Sequence, residues 1–197
     1  MKISDIRLAK ISVPLRVPFK TALRTVNSVE DVIVEIHTDS GLVGYGEAPP
    51  TGAITGDTTG AIVGALRDHI IPNLIGQPLD EFEPLMKRLQ KSVVHNTSAK
   101  AAADIALYDL YGQMLGAPVY KLLGASRKQI TTDITISVNP PEEMAIPPRI
   151  PPTSSAATPT VPYTNPTCVV LIAKPPDSMS SNRKGEESFT NCDSPSL

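Results

Sequence analysis

Hydrophobic and polar residues alternate over three stretches at the start of the chain, and this alternation predicts three antiparallel strands. The first stretch covers roughly residues 3–13, where isoleucine, leucine and valine recur until Pro14 and Pro18 interrupt them. The second is "DVIVEIHT", and the third is the return stretch 42–48, with "TDSG" as the turn of a hairpin. Alternation with a period of two is typical of strands that bury one face.

Helical spacing replaces the alternation after residue 57. Asp57 or Thr58 is predicted to cap a first helix that Pro72 ends, because either side chain can accept a hydrogen bond from a free amide of the first turn. A second helix is predicted over residues 79–94, where the apolar residues share one face.

The third predicted helix, "TSAKAAADIALYDLYGQML", carries small residues that permit close packing. Thr97 or Ser98 is expected to cap this helix, and Gly116 and Pro118 are expected to end it. Beyond it, the alternating residues 129–139 predict one further strand, and "PPEEMA" is typical of a helix start.

The amino-acid composition of the sequence changes after residue 145. Residues 146–197 carry 10 of the chain's 20 prolines, together with many serines and threonines. Such a segment cannot bury enough apolar surface to offset the entropy lost on ordering, so it is predicted to be a disordered tail. The apolar, β-branched residues 168–173, "CVVLIA", are the exception, and we interpret them either as a short strand or as an exposed, aggregation-prone patch.

The order of these elements predicts an α+β fold with three parts. Residues 1–125 form the ordered unit, a three-stranded antiparallel sheet followed by helices. Residues 126–145 start a second unit, and residues 146–197 are the tail.

Charge and cysteine content narrow the function classes. The chain has 18 basic and 20 acidic residues, and its net charge of -2 gives no general attraction to nucleic acid or to anionic membranes. Charged residues interrupt the first apolar positions, so no secretory signal is predicted, and no apolar run is long enough for a membrane span. Both cysteines, Cys168 and Cys192, lie in the tail, and a reducing cytoplasm is expected.

The loop "PFKTALRT", residues 18–25, is the first candidate for chemistry. It holds two cations and two threonine hydroxyls between the first two predicted strands. Arg24 is its strongest candidate, because a guanidinium can hold a carboxylate with two parallel hydrogen bonds. An arginine in a loop without further context is more often simply solvated. Glu47 follows a strand with two glycines, and we expect it to have a structural hydrogen-bonding role.

Five motifs in fixed order carry a resemblance that covers about residues 1–145. They are "VPFKTALRT", "GYGEAPPT", "ITGDT", "SAKAAADIALYDLYGQMLGAPVYKLLG" and "TTDITISVN". Together they resemble the dipeptide epimerases, of the L-Ala-D/L-Glu type, in the muconate-lactonizing and mandelate-racemase branch of the enolase superfamily. The resemblance implies an N-terminal capping domain, followed here by the first strand of an incomplete (β/α) barrel. The tail resembles nothing in the family.

The resemblance also implies site residues. In the family, the capping domain contributes lid loops over the barrel mouth, here "PFKTALRT" and "APPTGAITGD". Arg24 would bind the terminal carboxylate of a dipeptide substrate, and Ile54 would line the second lid loop. Thr135 would lie at the C-terminal end of the first barrel strand, where barrel enzymes place site residues. Without the resemblance, Thr135 is equally well read as a strand hydroxyl bonded to a neighbour.

The family reaction is a Mg²⁺-dependent epimerisation that abstracts a proton next to a carboxylate. The family's two catalytic lysines and its metal-binding acids belong to later barrel strands, which this sequence does not carry. We therefore expect no catalytic and no metal-binding residue in this chain, and no activity as written. The alternative function is a non-catalytic capping domain kept as a binding or interaction module. Because relatives commonly assemble, a homo-oligomer remains open.

Overall fold

The computed structural model describes residues 1–125, 137–144, 167–171 and 190–191. Long strands come first and helices follow. The strands are β1 (Ile3–Lys20), β2 (Thr25–Thr38), β3 (Val43–Ala48), β4 (Thr167–Leu171) and β5 (Thr190–Asn191). The helices are α1 (Thr59–Ala65), α2 (Ile71–Leu74), α3 (Phe82–Lys91), α4 (Thr97–Leu115), α5 (Val119–Leu122) and α6 (Pro141–Met144).

The sheet has the strand order β3-β2-β1-β4-β5, and all neighbours are antiparallel. The predicted meander of three antiparallel strands is confirmed as β1 to β3. Strand β4 pairs with Leu8–Ser12 on the outer edge of β1, which agrees with the strand alternative for "CVVLIA". Most of the predicted disordered tail lies outside the described residues, so its disorder stays a prediction.

The first two strands are longer than the sequence predicted. Strand β1 does not end before Pro14 but continues through Pro18 to Lys20, and β2 begins at Thr25. The pairing of β1 with β2 is irregular between Pro14 and Phe19, where the register shifts. Proline lacks an amide hydrogen and is tolerated at such irregularities, so the two prolines distort the ladder without ending the strand.

One face of the sheet packs on helix α4, as the small residues of that helix predicted. Gly44 and Gly46 of β3 face α4 so closely that a Cβ on Gly46 would lie 1.9 Å from the carbonyl oxygen of Ala102. A Cβ on Gly44 would lie 2.2 Å from the carbonyl oxygen of Ala106. Helix and strand therefore touch through their backbones. The largest fully buried side chains of the core are Ile3, Ile6, Leu8, Ile36, Ile62, Leu66, Ile70, Leu74, Leu79, Leu89, Leu107 and Leu110.

The first predicted helix is divided in the structure. A π-helical turn, Leu66–Ile70, separates α1 from α2, and Pro72 lies in the first turn of α2 instead of ending the helix. The helical backbone continues without a break from the π-helical turn into α2, and proline is tolerated where such a turn interrupts the regular hydrogen-bond pattern. Thr58 is confirmed as the cap, since its Oγ1 accepts a hydrogen bond from the amide of Ala61 at 3.2 Å.

The later helices also differ at their ends from the prediction. Helix α3 is shorter than residues 79–94, and neither Thr97 nor Ser98 is the cap of α4. The residue before α4 is Asn96, which has a φ of 46° and makes no side-chain cap hydrogen bond. Gly116 is confirmed as the end of α4, with a φ of 61° that glycine adopts easily. Helix α6 occupies the helix start predicted from "PPEEMA".

Most of the predicted barrel strand lies outside the described residues, which resume at Ser137. Within the described part of the chain, every helix is too short or too polar to cross a bilayer.

Candidate functional site

Strands β1 and β2 extend past the end of β3 as a two-stranded hairpin, residues 13–30, here called the arm. Strand β3 pairs only with Val32–His37 of β2, so the arm projects from the three-stranded meander. Its apolar side chains are largely uncovered: Val17 is 69% exposed and Leu23 is 77% exposed. The predicted first lid loop is thus the tip of a long hairpin.

The tip of the arm is a tight turn over residues 21–24, organised by one threonine. The amide of Thr21 donates to the carbonyl of Arg24 at 2.8 Å. The Thr21 hydroxyl accepts from the amides of Leu23 and Arg24, at 3.3 and 3.2 Å. Threonine is suited to this role because its hydroxyl can bond to the backbone of its own turn. These bonds fix the backbone from which the Arg24 side chain projects.

The half-buried Arg24 lines a cavity of about 550 Å³ between the arm and the start of the second predicted lid loop. The lining is mostly apolar, and Pro49, Pro50 and Thr51 contribute the second side. Both predicted lid loops therefore reach one cavity. Ile54 lies further along the second loop, in a turn where it is 65% exposed.

The second loop is held at both ends of its turn. The carbonyl of Thr51 accepts from the amides of Ile54 and Thr55, at 2.8 and 2.9 Å. Farther along, the Ser98 hydroxyl of α4 donates to the Asp57 carboxylate at 2.5 Å. Asp57 and Ser98, both predicted as helix caps, thus join the second loop to the start of α4 instead.

Glu30 is a cavity residue that the sequence reasoning missed. Ser12 donates to its carboxylate at 2.6 Å and Ser28 donates at 2.8 Å, and these bonds lower the pKa of Glu30. The cavity therefore offers a guanidinium and a carboxylate, groups that suit a ligand with charges of both signs. The pairing of Ser12 with Glu30 was not predicted from the sequence, because the second strand was predicted to begin only at residue 31.

The end of β1, next to the tip of the arm, contacts a segment far along the chain. The amide of Lys20 donates to the Ser137 hydroxyl at 2.8 Å, and the amide of Val138 donates to the carbonyl of Lys20 at 2.9 Å. Thr135, the third predicted site residue, lies outside the described residues. The structure therefore gives the positions of Arg24 and Ile54, whereas the position of Thr135 stays a prediction.

A second pair of ionisable groups lies on the sheet face opposite the helices. Burial and the neighbouring Glu47 carboxylate raise the pKa of Asp31 to about 6. Asp31 also accepts from the amide of Val32 at 2.8 Å. The Glu47 carboxyl group hydrogen-bonds to the Asp31 carboxyl group, and the structural role of Glu47 stays a prediction.

The described residues offer no cluster of metal-binding side chains. Among residues 1–125, 137–144, 167–171 and 190–191, no group of three or more His, Cys, Asp or Glu side chains could hold a metal. Magnesium requires several oxygen ligands at fixed positions.

Residues 3–124 match the family described as mandelate racemase / muconate lactonizing enzyme, N-terminal domain. Among curated proteins, the chain is similar to the L-Ala-D/L-Glu epimerase of Clostridium acetobutylicum, with 57% identity over 145 residues. That match covers 74% of this chain and 40% of the relative. The chain thus spans about 40% of the length of this curated relative.

Two solved structures with bound ligands are similar to this chain. One is a substrate-liganded complex of the L-Ala-D/L-Glu epimerase from Bacillus subtilis, with 51% identity and a TM-score of 0.70. The other is a dipeptide epimerase from Enterococcus faecalis complexed with Mg and L-Leu-L-Tyr, with 38% identity and a TM-score of 0.68. Each match covers 73% of this chain and 40% of the solved chain.

Proposed function

Because this chain belongs to the mandelate racemase / muconate lactonizing enzyme family, we propose that it is the capping part of a Mg²⁺-dependent dipeptide epimerase. The cavity shared by Arg24 and the second loop is the observation that carries the proposal. Its position supports a lid that closes over a small anionic substrate. The names of the similar proteins support a dipeptide of the L-Ala-L-Glu kind as that substrate.

The lid acts by binding and by excluding water. Arg24 binds a carboxylate of the dipeptide through two parallel hydrogen bonds, which are strong because both partners are charged. The apolar wall of the cavity, including Phe19 and Val26, lowers the local polarity when the lid closes and strengthens this pairing. Thr135 contributes from the end of the first barrel strand, and Ile54 covers the substrate from the second loop.

Arg24 does not abstract the proton. A guanidinium stays protonated at neutral pH, with a pKa above about 12, so it cannot act as a base. In the proposed reaction the base removes the α-proton next to a carboxylate and belongs to the barrel. We therefore propose that the 197-residue chain alone is inactive. The cytoplasm as its compartment and self-association are part of the same proposal.

A second function has one observation in its favour. The exposed apolar residues of the arm, Val17 and Leu23 among them, suit a capping domain that serves as a non-catalytic binding module. Nucleotide sequence separates the two functions. Barrel codons recovered in another reading frame after residue 145 would support the epimerase. A stop-free native tail in an expressed protein would support the binding module.

A hybrid enzyme tests the proposed function. In this hybrid, the region of the Clostridium acetobutylicum epimerase that this chain matches is replaced by the chain's own sequence. We expect the hybrid to exchange the α-proton of L-Ala-L-Glu for deuterium in D₂O, observed by NMR. The 197-residue chain alone should give no exchange. A folded hybrid without activity would contradict the capping role, and exchange by the chain alone would contradict its proposed inactivity.

A further inference from the structure

The end of β1, next to the tip of the arm, is fixed by residues that follow it at great distance in sequence. Lys20 is the last residue of β1, and Ser137 lies 117 residues later. The Lys20 amide donates to the Ser137 hydroxyl at 2.8 Å, while the Lys20 carbonyl accepts from the amide of Val138 at 2.9 Å. Both backbone polar groups of Lys20 are therefore used at this contact, here called the clasp.

The clasp and the turn at the tip of the arm are adjacent in the chain. Lys20 precedes Thr21, whose amide and hydroxyl bond to the backbone of Arg24. Because the turn is closed internally, little freedom remains between Lys20 and Arg24. Fixing the backbone of Lys20 consequently fixes the direction from which the Arg24 side chain enters the cavity.

Ser137 is placed where a contact of this kind can act on the site. It lies near the end of the predicted barrel strand and comes two residues after Thr135 in the sequence. Its hydroxyl accepts from the Lys20 amide at 2.8 Å and donates weakly to the Lys20 carbonyl at 3.5 Å, whereas the bond from the Val138 amide to that carbonyl does not depend on the hydroxyl. Removing the hydroxyl therefore breaks one half of the clasp and leaves the other half in place.

We propose that Ser137 is a positioning residue, which orients Arg24 by holding the end of β1, next to the tip of the arm, to the last residues of the predicted barrel strand. This inference rests on the proposed function, because the orientation of Arg24 matters only if Arg24 binds the substrate. Ser137 does not touch the substrate in this proposal. It acts only through the backbone of Lys20 and the turn that follows.

Amide exchange measured by NMR on the ¹⁵N-labelled full chain tests the clasp. We expect Ser137→Ala to speed exchange of the Lys20 amide by at least about tenfold, because a hydrogen-bonded amide exchanges only when its bond opens and the variant removes the acceptor of that bond. The heteronuclear NOE of the Arg24 amide should fall in the same variant. Ser137→Thr keeps a hydroxyl and should restore both values. The matched control is Ser92→Ala, which removes the hydroxyl that donates to the Leu89 carbonyl at 2.7 Å, at the end of α3.

Each outcome decides the proposal. Faster Lys20 exchange and a lower Arg24 NOE in Ser137→Ala, restored in Ser137→Thr and absent in Ser92→Ala, would support it. Unchanged values in Ser137→Ala, failure of Ser137→Thr to restore them, or equal changes in Ser92→Ala would overturn it. The NMR experiment contains no dipeptide, so a result that overturns the clasp does not contradict the epimerase proposal. An inactive hybrid would in turn contradict the proposed function, but it would not contradict the measured contact between Lys20 and Ser137.

Discussion

Asp31 carries the clearest titration effect at the scale of single residues. Its pKa is raised from 3.8 to about 6, first by burial and then by Glu47, so ionising it costs the folded state free energy. The cost is absent below pH 3.8 and fully present above about pH 6. A shift of this size corresponds to about 3 kcal/mol, which solvent screening of a partly buried group reduces to about 1 kcal/mol.

We therefore expect Asp31→Asn to raise the free energy of unfolding by about 1 kcal/mol at pH 7, because asparagine has no charge to bury. The gain should shrink towards zero as the pH falls to about 4. Urea unfolding at several pH values checks this. Asp39→Asn is the control, since the exposed Asp39 carboxylate only accepts from the Lys2 amide. A gain for Asp31→Asn that is equal at pH 4 and pH 7 would show that the titration is misassigned.

Single residues were predictable from the sequence only where local chemistry is decisive. Thr58 and Gly116 were found because capping depends on the residue itself and its nearest neighbours. Glu30 and Ser137 were missed, because their partners come from other parts of the chain. Ser12 lies opposite Glu30 only through strand pairing, and Lys20 meets Ser137 only through tertiary structure.

Packing of β3 on α4 governs stability at the scale of elements. Gly46→Ala should lower the free energy of unfolding by at least about 2 kcal/mol, because the new Cβ would lie 1.9 Å from a backbone oxygen and the helix must move. Gly64→Ala in α1 is the matched control, since nothing lies within 4 Å of its new Cβ. That change should raise stability by about 0.5–1 kcal/mol through helix propensity. Urea denaturation measures both, and equal losses in the two variants would contradict the close backbone contact.

The presence of the strands and helices was largely predictable, but the residues at which they begin and end were not. Alternation identified β1 to β3, and helical spacing identified α3 and α4. The continuation of β1 through Pro14 and Pro18 was not predicted, because the irregular pairing with β2 accommodates residues that usually end strands. The π-helical turn before Pro72 was missed for a related reason. Propensity rules describe regular elements, whereas packing decides where an irregularity is tolerated.

The whole molecule is expected to divide into an ordered unit and a tail. Residues 1–125 contain the buried core, whereas residues 146–197 are rich in proline. Limited proteolysis followed by mass spectrometry should therefore trim the chain from its C-terminus and leave a fragment that ends between residues 125 and 145. A tail that resists protease as long as the core would contradict the predicted disorder.

The role of Arg24 links the whole molecule to its proposed activity. Substituting Arg24 by alanine in the hybrid should lower kcat/KM for L-Ala-L-Glu by about 10²-fold, because a charged partner of a carboxylate is lost in a closed site. Arg16 is the matched control, an exposed arginine on the same arm. Its replacement by alanine should leave kcat/KM within about twofold, as expected for a solvated charge.

The most direct measurement is the rate of α-proton exchange by the hybrid and its Arg24→Ala and Arg16→Ala variants, with L-Ala-L-Glu and L-Ala-L-Gln as substrates. We expect a large loss for Arg24→Ala alone. A loss with both substrates would assign the terminal carboxylate to Arg24, and a loss confined to L-Ala-L-Glu would assign the side-chain carboxylate. Equal rates for the Arg24→Ala and Arg16→Ala variants, with both dipeptides, would contradict the claim that this arm binds the substrate.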